Sequence, residues 1–489
     1  MKNRTKNGSL EKTYTGIKGF DEILMGGVPK GRAILVIGGT GTGKTVLLNE
    51  FIYRGITEFK ENAVYVTIEE TKNDIIKNVG SFGWNYASLI ARKKMAFVDA
   101  GISKDFSLEI GQNYDLSPLI ERIKYALKKV KAKRLVIDGL DSLFSRFQNK
   151  DAVRQTLYQI LAELKDLGVT SLVTSEKSRI EKDLSRYGVE EFVADGVIEL
   201  ELIKGQQQFL RRMFVIKIRG ADFRSGIVEF DITGKGLIVY PKIPATNLFA
   251  KTDFSVRKTF GIKTLDEILG GGIPQGHMTL IAGNTGTGKT VLGLHFLKQG
   301  ICDGDNAVFV ALEEPLEQVK KTALEHGWNF NRYEKEGKIN FTTTSLIDIS
   351  NDKLLYEIIT AVEKVNAKRV VIDSISSLLS ATMNEEQVRQ FLIQLNGYFK
   401  ANGITCILNQ LCPTNFGAER GQLMGGLMTS EMHLSSITDG IIMLLFVERG
   451  QKIKMLLNVL KLRGSWHSHE IMNYEIEKDG IKMGTKYEE

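Results

Sequence analysis

The chain has 489 residues, 43% apolar and 25% charged, the composition of a soluble globular protein and not of a disordered or collagenous one. At about 150 residues per domain, the length excludes a single packed core. Lys and Arg total 65 against 58 Asp and Glu, a net charge of +7 that permits polyanion binding without requiring it. Cys302, Cys406 and Cys412 form no CxxC pair or even framework, which excludes a disulfide scaffold and points to a reducing compartment. The polar, basic start lacks an apolar core for a secretory signal, and no run nears the ~18 apolar residues of a membrane span. A cytoplasmic protein is expected.

From the N-terminus, GIKGFDEILMGGVPKG (16–31) comes first and recurs as GIKTLDEILGGGIPQG (261–276), identical at 11 of 16 positions. GGTGTGKT (38–45) recurs as GNTGTGKT (283–290), VTIEE (66–70) as VALEE (310–314), RLVIDGLDSL (134–143) as RVVIDSISSL (369–378), and KIRG (217–220) as KLRG (461–464). The chain is therefore two tandem copies of one domain, expected over 1–245 and 246–489, with the join near Pro241 and Pro244. Copy one has nine more residues between Trp84 and Arg134, and copy two recovers nine between Gln410 and Asp439. In copy one AILVIG, AVYVTI, RLVIDG, TSLVTS and DGVIEL predict buried strands. PLIERIKYALKKV and DAVRQTLYQILAELKDLG predict amphipathic helices. The alternation predicts an α/β fold, a mostly parallel doubly wound sheet, twice.

Each GxxxxGKT lies between an apolar strand and a helix, the context a phosphate-binding loop needs. Gly41, Gly43, Gly286 and Gly288 let backbone N–H groups surround phosphate oxygens. Lys44 and Lys289 add charge at the β/γ-phosphates, and Thr45 and Thr290 offer a hydroxyl to Mg2+. Both copies are expected to bind a nucleoside triphosphate. Asp138 and Asp373 end apolar runs, where a carboxylate can hold Mg2+ through water; alone, such an Asp reads as a turn residue. Glu69–Glu70 and Glu313–Glu314 follow the next strand. A carboxylate there can deprotonate a nucleophile at the γ-phosphorus, whereas the plainer reading is an acidic helix start. In Lys217-Ile218-Arg219 and Lys461-Leu462-Arg463 the cations alternate onto one face, suited to a γ-phosphate, or else to a solvated strand.

GFDEILMGGVPKG, GGTGTGKT, the Glu doublet, SFGW (81–84), RYGVEEF (186–192) and KLRGSWH (461–467) together resemble the KaiC family of tandem RecA-like ATPases, over residues 14 to 480. The resemblance implies a double-ring homohexamer with ATP at subunit interfaces and steady hydrolysis by copy one. It implies nucleotide contacts from Gly41 to Val46 (Gly41, Thr42, Gly43, Lys44, Thr45, Val46) and from Thr285, Gly286, Thr287, Gly288, Lys289, Thr290 and Val291. Thr45, Thr290 and Glu313 would be Mg2+ ligands. Ser81 and Phe82 would lie by the base in copy one, and Glu325 and His326 in copy two. Lys217, Ile218, Arg219, Lys461, Leu462, Arg463 and Trp466 would reach ATP across the interface.

HLSSITDG (433–440) in copy two faces VEEFVADG (189–196) in copy one, so Ser435 and Ser436 replace Glu191 and Phe192. The resemblance implies that these hydroxyls are autophosphorylated with ATP from a neighbouring subunit, Glu313 or Glu314 acting as base; without it, S-S-x-T reads as a turn or cap. The second hydroxyl is serine where the family's circadian-clock members have threonine, and Met455 stands where they have arginine. The chain stops at GTKYEE, so the long tail that recruits an activating partner in the family's circadian-clock members is expected to be missing.

His467 and His469 form an HxH pair without a third ligand at suitable spacing, so no metal site is expected there. The basic run 122–134 reads as a solvated helix face, and Cys406 as core. A nucleic-acid motor ranks second as a function, because CPTNFGAERGQLMGGLM offers one Arg and one Phe where a DNA-binding loop would be basic and aromatic. A nucleotide-gated scaffold ranks third. The signalling partner is not encoded legibly.

Overall fold

The computed structural model describes residues 10–101, 117–144, 150–177, 185, 190–204, 209–242, 252–344, 350–381, 385–412, 436–449 and 451–488. The chain forms two compact units, residues 1–241 and 242–489. The expected join at 245/246 lies outside the described residues, as do Ser435 and most of RYGVEEF.

The first unit is built on a nine-stranded sheet. Its strands in spatial order are Gly236–Tyr240, Ile227–Thr233, Phe209–Ile218, Gly196–Lys204, Ala33–Gly38, Thr170–Glu176, Arg134–Asp138, Ala63–Thr67 and Met95–Asp99. The last six are parallel, and the first three continue the sheet antiparallel. All five expected strand segments are present, with helices at Ser117–Val130 and Lys150–Asp166 where the periodicity placed them. The second unit repeats the order: Met278–Gly283 is central, flanked by Thr405–Leu411 and Gly440–Arg449, and Lys452–Leu462, Met472–Glu477 and Gly480–Lys486 form the antiparallel extension.

Side-chain alternation makes each sheet two-faced. Ile34 and Val36 join the core beneath the helix Lys44–Thr57, whereas Ala33, Leu35 and Ile37 join the core beneath Ser117–Val130 and Lys150–Asp166. Met278, Leu280 and Ala282 take one face in the second unit, and Ile281 the other. Arg134 and Arg369, the first residues of RLVID and RVVID, are buried. Arg134 donates to the carbonyls of Phe51 (2.8 Å) and Tyr14 (2.6 Å) and pairs with Glu61 at 2.7 Å. Arg369 donates to the carbonyls of Phe296 and Thr259 and pairs with Asp303 and Asp305. Each guanidinium lies against a glycine of the loop helix: a Cβ on Gly55 or Gly300 would come within 2.4 Å of the arginine Cδ. That fixes the helix, and the loop ahead of it, on the sheet.

Among the described residues no helix is long and apolar enough to cross a membrane. Cys406 and Cys412 are buried, Cys302 is exposed, and all three are free thiols.

Candidate nucleotide sites

Both glycine loops follow the central strand, where the parallel strands leave it on either side. In an open α/β sheet this switch point is where the loops diverge and a ligand can enter. Gly41, Gly43, Gly286 and Gly288 have φ of 79, 102, 84 and 82°, a region side chains disfavour. A Cβ on Gly43 or Gly288 would also meet the Cδ1 of Ile232 or Ile476 at 2.7 Å, so that side chain would have to move. They directly precede the helices Lys44–Thr57 and Lys289–Cys302, whose N-termini have no side-chain cap and present free N–H groups to an anion. The buried Thr42 and Thr287 brace the loops by donating to the carbonyls of Gly39 and Asn284, both at 2.8 Å. Lys44 Nζ lies 2.6 Å from the Gly38 carbonyl, and Lys289 Nζ 2.8 Å from that of Gly283. Burial lowers the pKa of both lysines.

Asp138 and Asp373 end strands beside each loop, yet they are held differently. Thr290 Oγ1 donates to Asp373 Oδ2 at 2.6 Å, linking the two expected Mg2+ groups of copy two. Burial raises the pKa of Asp373, and Thr290 and Lys289 offset this in part. Asp138 instead accepts from Tyr65 at 2.7 Å and Thr174 at 2.8 Å. The donor set at each loop, a threonine hydroxyl and a carboxylate, is all oxygen and suits a hard divalent cation.

The members of each glutamate doublet also differ. Glu69 accepts from Ser142, and Glu313 Oε1 accepts from Ser374 (2.8 Å) and Ser377 (2.6 Å). Glu70 accepts from Asn78 at 3.1 Å. The second carboxylates, Glu70 and Glu314, have raised pKa values, first through burial and then through Asp138 or Asp373. A carboxylate shifted toward neutrality is the better-matched proton acceptor.

Ser81 is exposed at the end of the helix Lys72–Gly80, and Phe82 stacks on Trp84 at 4.7 Å, which stacks in turn on Tyr53 of the loop helix. Phe82 and Val46 pack on the same core. Glu325 ends the helix Leu316–Glu325. His326 follows, its Nδ1 3.1 Å from the Glu477 carbonyl and its ring 5.2 Å from that of Trp328. Trp466 is 70% exposed.

The lysine–arginine pairs do not join the loops of their own unit. Ile218 pairs with Gly196, whereas Gly38 at the loop pairs with Leu200, four residues further along the same strand. About 13 Å of strand thus separates the two ends. Copy two repeats this, with Leu462 opposite Gly440 and Gly283 opposite Leu444. Burial, then the adjacent arginine, lowers the pKa of Lys217 and Lys461. Arg463 donates to the Ser436 carbonyl at 2.7 Å, and Arg219 to that of Phe192 at 2.8 Å. Lys461 donates to Thr438 at 2.7 Å. The His467 and His469 rings lie 4.7 Å apart, and no cluster of three metal-ligating side chains exists among the described residues.

The sequence reading missed Tyr65, Asn49 and Thr174 around Asp138, and the serines that hold Glu69 and Glu313. The signal for Tyr65 lay in a difference between the copies, AVYVT against AVFVA.

A phosphate cradle heading a helix, with carboxylates on the adjacent strand ends, is how tandem RecA-like P-loop ATPases are built, and both units have that construction. The KaiC ATPase family matches residues 13–243 and again 258–488, so this chain belongs to the KaiC family and carries two of its ATPase domains. It is similar to the circadian clock oscillator protein KaiC of Parathermosynechococcus lividus, 37% identical across 98% of this chain and 86% of that protein. It is also similar to those of Nostoc sp. (36%, 99% and 91%) and Synechococcus elongatus (36%, 98% and 90%).

Proposed function

We propose that copy one hydrolyses ATP steadily, and that copy two is an autokinase placing phosphate on Ser435 and Ser436 across the interfaces of a homohexamer. The observation that carries this reading is the hydrogen bond from Arg463 to the backbone carbonyl of Ser436, at the opposite end of the sheet from the loop of the same unit. Arg463 holds the backbone carbonyl of Ser436 there, and a hydroxyl at that end of the sheet can be served by nucleotide on a neighbouring copy. The equivalent arginine of copy one touches Phe192, which has no hydroxyl to phosphorylate. The circadian clock oscillator proteins it resembles support a signalling or timing output.

In each copy Lys44 or Lys289 and the loop N–H groups hold the β/γ-phosphates. Thr45 with Asp138, and Thr290 with Asp373, would hold Mg2+, whose charge offsets that of the transferring phosphoryl group. In copy one the doublet Glu69–Glu70 orients and deprotonates water. In copy two the hydroxyl of Ser435 or Ser436 attacks the γ-phosphorus, its proton passes to Glu313 or Glu314, and the bond to the β-phosphate oxygen breaks to release ADP. Lys461 and Arg463 from the neighbour stabilise the charge that develops. Ser81 and Phe82, and Glu325 and His326, flank the base.

The test is intact-mass and peptide-mapping spectrometry after incubation with Mg-ATP, wild type beside Ser435→Ala/Ser436→Ala. Phosphate on the serine pair, absent from the double variant, is expected. ATP consumption without added phosphate would leave a ring ATPase with a conformational output.

A further inference from the structure

In copy one a buried polar trio stands where copy two is apolar. Asn49, Tyr65 and Tyr86 correspond to Leu294, Phe309 and Phe330, all buried. Tyr65 lies in the strand Ala63–Thr67, its ring stacked on Phe97 at 5.3 Å. Its hydroxyl donates to Asp138 Oδ2 at 2.7 Å and accepts from Asn49 Nδ2 at 3.4 Å. Asn49 Nδ2 also donates to the Thr45 carbonyl at 2.7 Å, and Tyr86 donates to the Asn49 carbonyl at 2.9 Å. An unbroken chain of polar contacts thus runs from the first turn of the loop helix to the strand-end carboxylate.

Stability is a poor explanation for the trio. Asn49 Oδ1 is buried without a partner, and a partly satisfied polar network is a worse core than three apolar side chains. What the trio does accomplish is to fix Asp138. With Tyr65 on Oδ2 and Thr174 on Oδ1, both carboxylate oxygens are held from outside the phosphate loop. In copy two Phe309 has no hydroxyl to offer, and Asp373 is held by Thr290 itself.

We propose that Tyr65 is a positioning residue that presets the Asp138 carboxylate for the divalent cation of the copy-one nucleotide site, a role without a counterpart in copy two. The inference rests on Asp138 being the metal carboxylate of copy one. Groups that orient a ligating carboxylate typically govern metal affinity by about 10- to 100-fold. Because Thr174 remains in place, the lower end applies to the loss of Tyr65 alone.

The test is Mn2+ binding followed by electron paramagnetic resonance, on the full chain with ADP, in a Lys289→Ala/Asp373→Asn background that silences copy two. Tyr65→Phe removes one oxygen and keeps the ring stacked on Phe97, so the fold should survive; an unchanged melting temperature of copy one checks this. Mn2+ affinity is expected to fall about tenfold, while ADP affinity in EDTA stays constant. Asp138→Asn in the same background should weaken Mn2+ at least as much. Were Asp138→Asn to weaken Mn2+ while Tyr65→Phe stayed within twofold of its parent, the positioning role would be refuted and the metal assignment kept. Unchanged affinity in Asp138→Asn would overturn the metal assignment and this inference with it.

Discussion

The two units share a fold down to the strand order, yet around the phosphate loop they are chemically unlike. Lys44 feels the carboxylates of Glu176, Asp141, Asp138 and Glu69, whereas Lys289 feels Asp373 and Glu313, with Leu411 and Ser376 where copy one has Glu176 and Asp141. Copy one wires its strand-end Asp to a buried polar trio, and copy two wires it to the loop threonine. The trailing arginine holds the carbonyl of a serine, Ser436, in copy two and of a phenylalanine, Phe192, in copy one. Duplication kept what holds a phosphate, namely the glycine φ angles, the helix N-terminus and the buried arginine beneath it. The copies differ in what a bound phosphate would next encounter. The differences lie in the partners of the strand-end carboxylate, in the core behind it and at the far end of the sheet by the trailing arginine, and the proposed division of labour draws on all three.

The largest effects come from removing one loop lysine at a time. Lys44→Ala should lower hydrolysis by copy one by about 100-fold or more, because a charge on the transferring phosphoryl group is lost. Total ATP turnover should then drop to a small residue. Lys289→Ala should leave most turnover in place and abolish phosphate on the serine pair. Steady-state phosphate release and intact mass, measured on both variants, check this. Equal losses of turnover in the two variants would break the proposed division.

Much of this contrast was legible in the sequence because it lies in short, ordered motifs. A phosphate loop needs glycine at fixed offsets, so GGTGTGKT and GNTGTGKT declared both sites, and the repeat declared the fold twice. The serine pair showed as a difference between aligned segments. The antiparallel extension beyond Gly196–Lys204 was not read beyond the KxR strands, since alternating patterns such as IVEFDIT say nothing of their sheet neighbours. Tyr65 was hidden for a related reason: in AVYVT it reads as an ordinary aromatic strand residue, and its hydroxyl gains meaning only when Asp138, 73 positions later, arrives on the adjacent strand. The basic run 122–134 reads as a solvated helix face, but the helix ends at Val130 and Arg134 opens the next strand fully buried; like Arg369, it is an anchor that only the packing of Gly55 and Gly300 reveals.

Acid should separate the units next. One position in the loop helix is Glu50 in copy one and His295 in copy two, both buried. Glu50 pairs with Arg54 and accepts from the Leu237 N–H, and burial raises its pKa. His295 sits 4.5 Å from the Trp328 ring, and burial with the charges of Lys298 and His326 lowers its pKa to about 4. A histidine depressed in the fold binds its proton sooner when unfolded, so its contribution is full above pH 6.5 and is lost as pH falls toward 4, on the order of 3 kcal/mol in all. His277, also lowered to about 4 by burial, acts in the same direction. Glu50 runs the other way: its raised pKa favours the folded state at low pH and ceases to as pH rises through the folded value. All six histidines lie in copy two. Hydrogen exchange of the full chain between pH 7 and 5, corrected for intrinsic rates, should show Lys289–Cys302 losing protection while Lys44–Thr57 keeps it. Parallel loss in both helices would refute the assignment.

The smallest effect lies directly after the glutamates, where EET in copy one faces EEP in copy two. Thr71 caps the helix Lys72–Gly80, its hydroxyl accepting from the Asp74 N–H at 3.2 Å and donating to the Asp74 carboxylate at 2.6 Å. Pro315 caps Leu316–Glu325 with no side-chain bond. A lost cap costs about 1 kcal/mol, so Thr71→Ala should destabilise copy one by that amount in urea titrations. Thr71→Pro loses the same hydroxyl, but φ at this position is −73°, within the range of a proline ring, and the substitution also reduces the freedom of the unfolded chain. It should therefore cost less than Thr71→Ala. That outcome would mean the copies end their glutamate loops by two routes of similar stability, one enthalpic and one entropic. A larger cost for proline would mean that the backbone beside Glu70 must adopt a conformation that a following proline forbids, and that the two doublets differ in shape as well as in their partners.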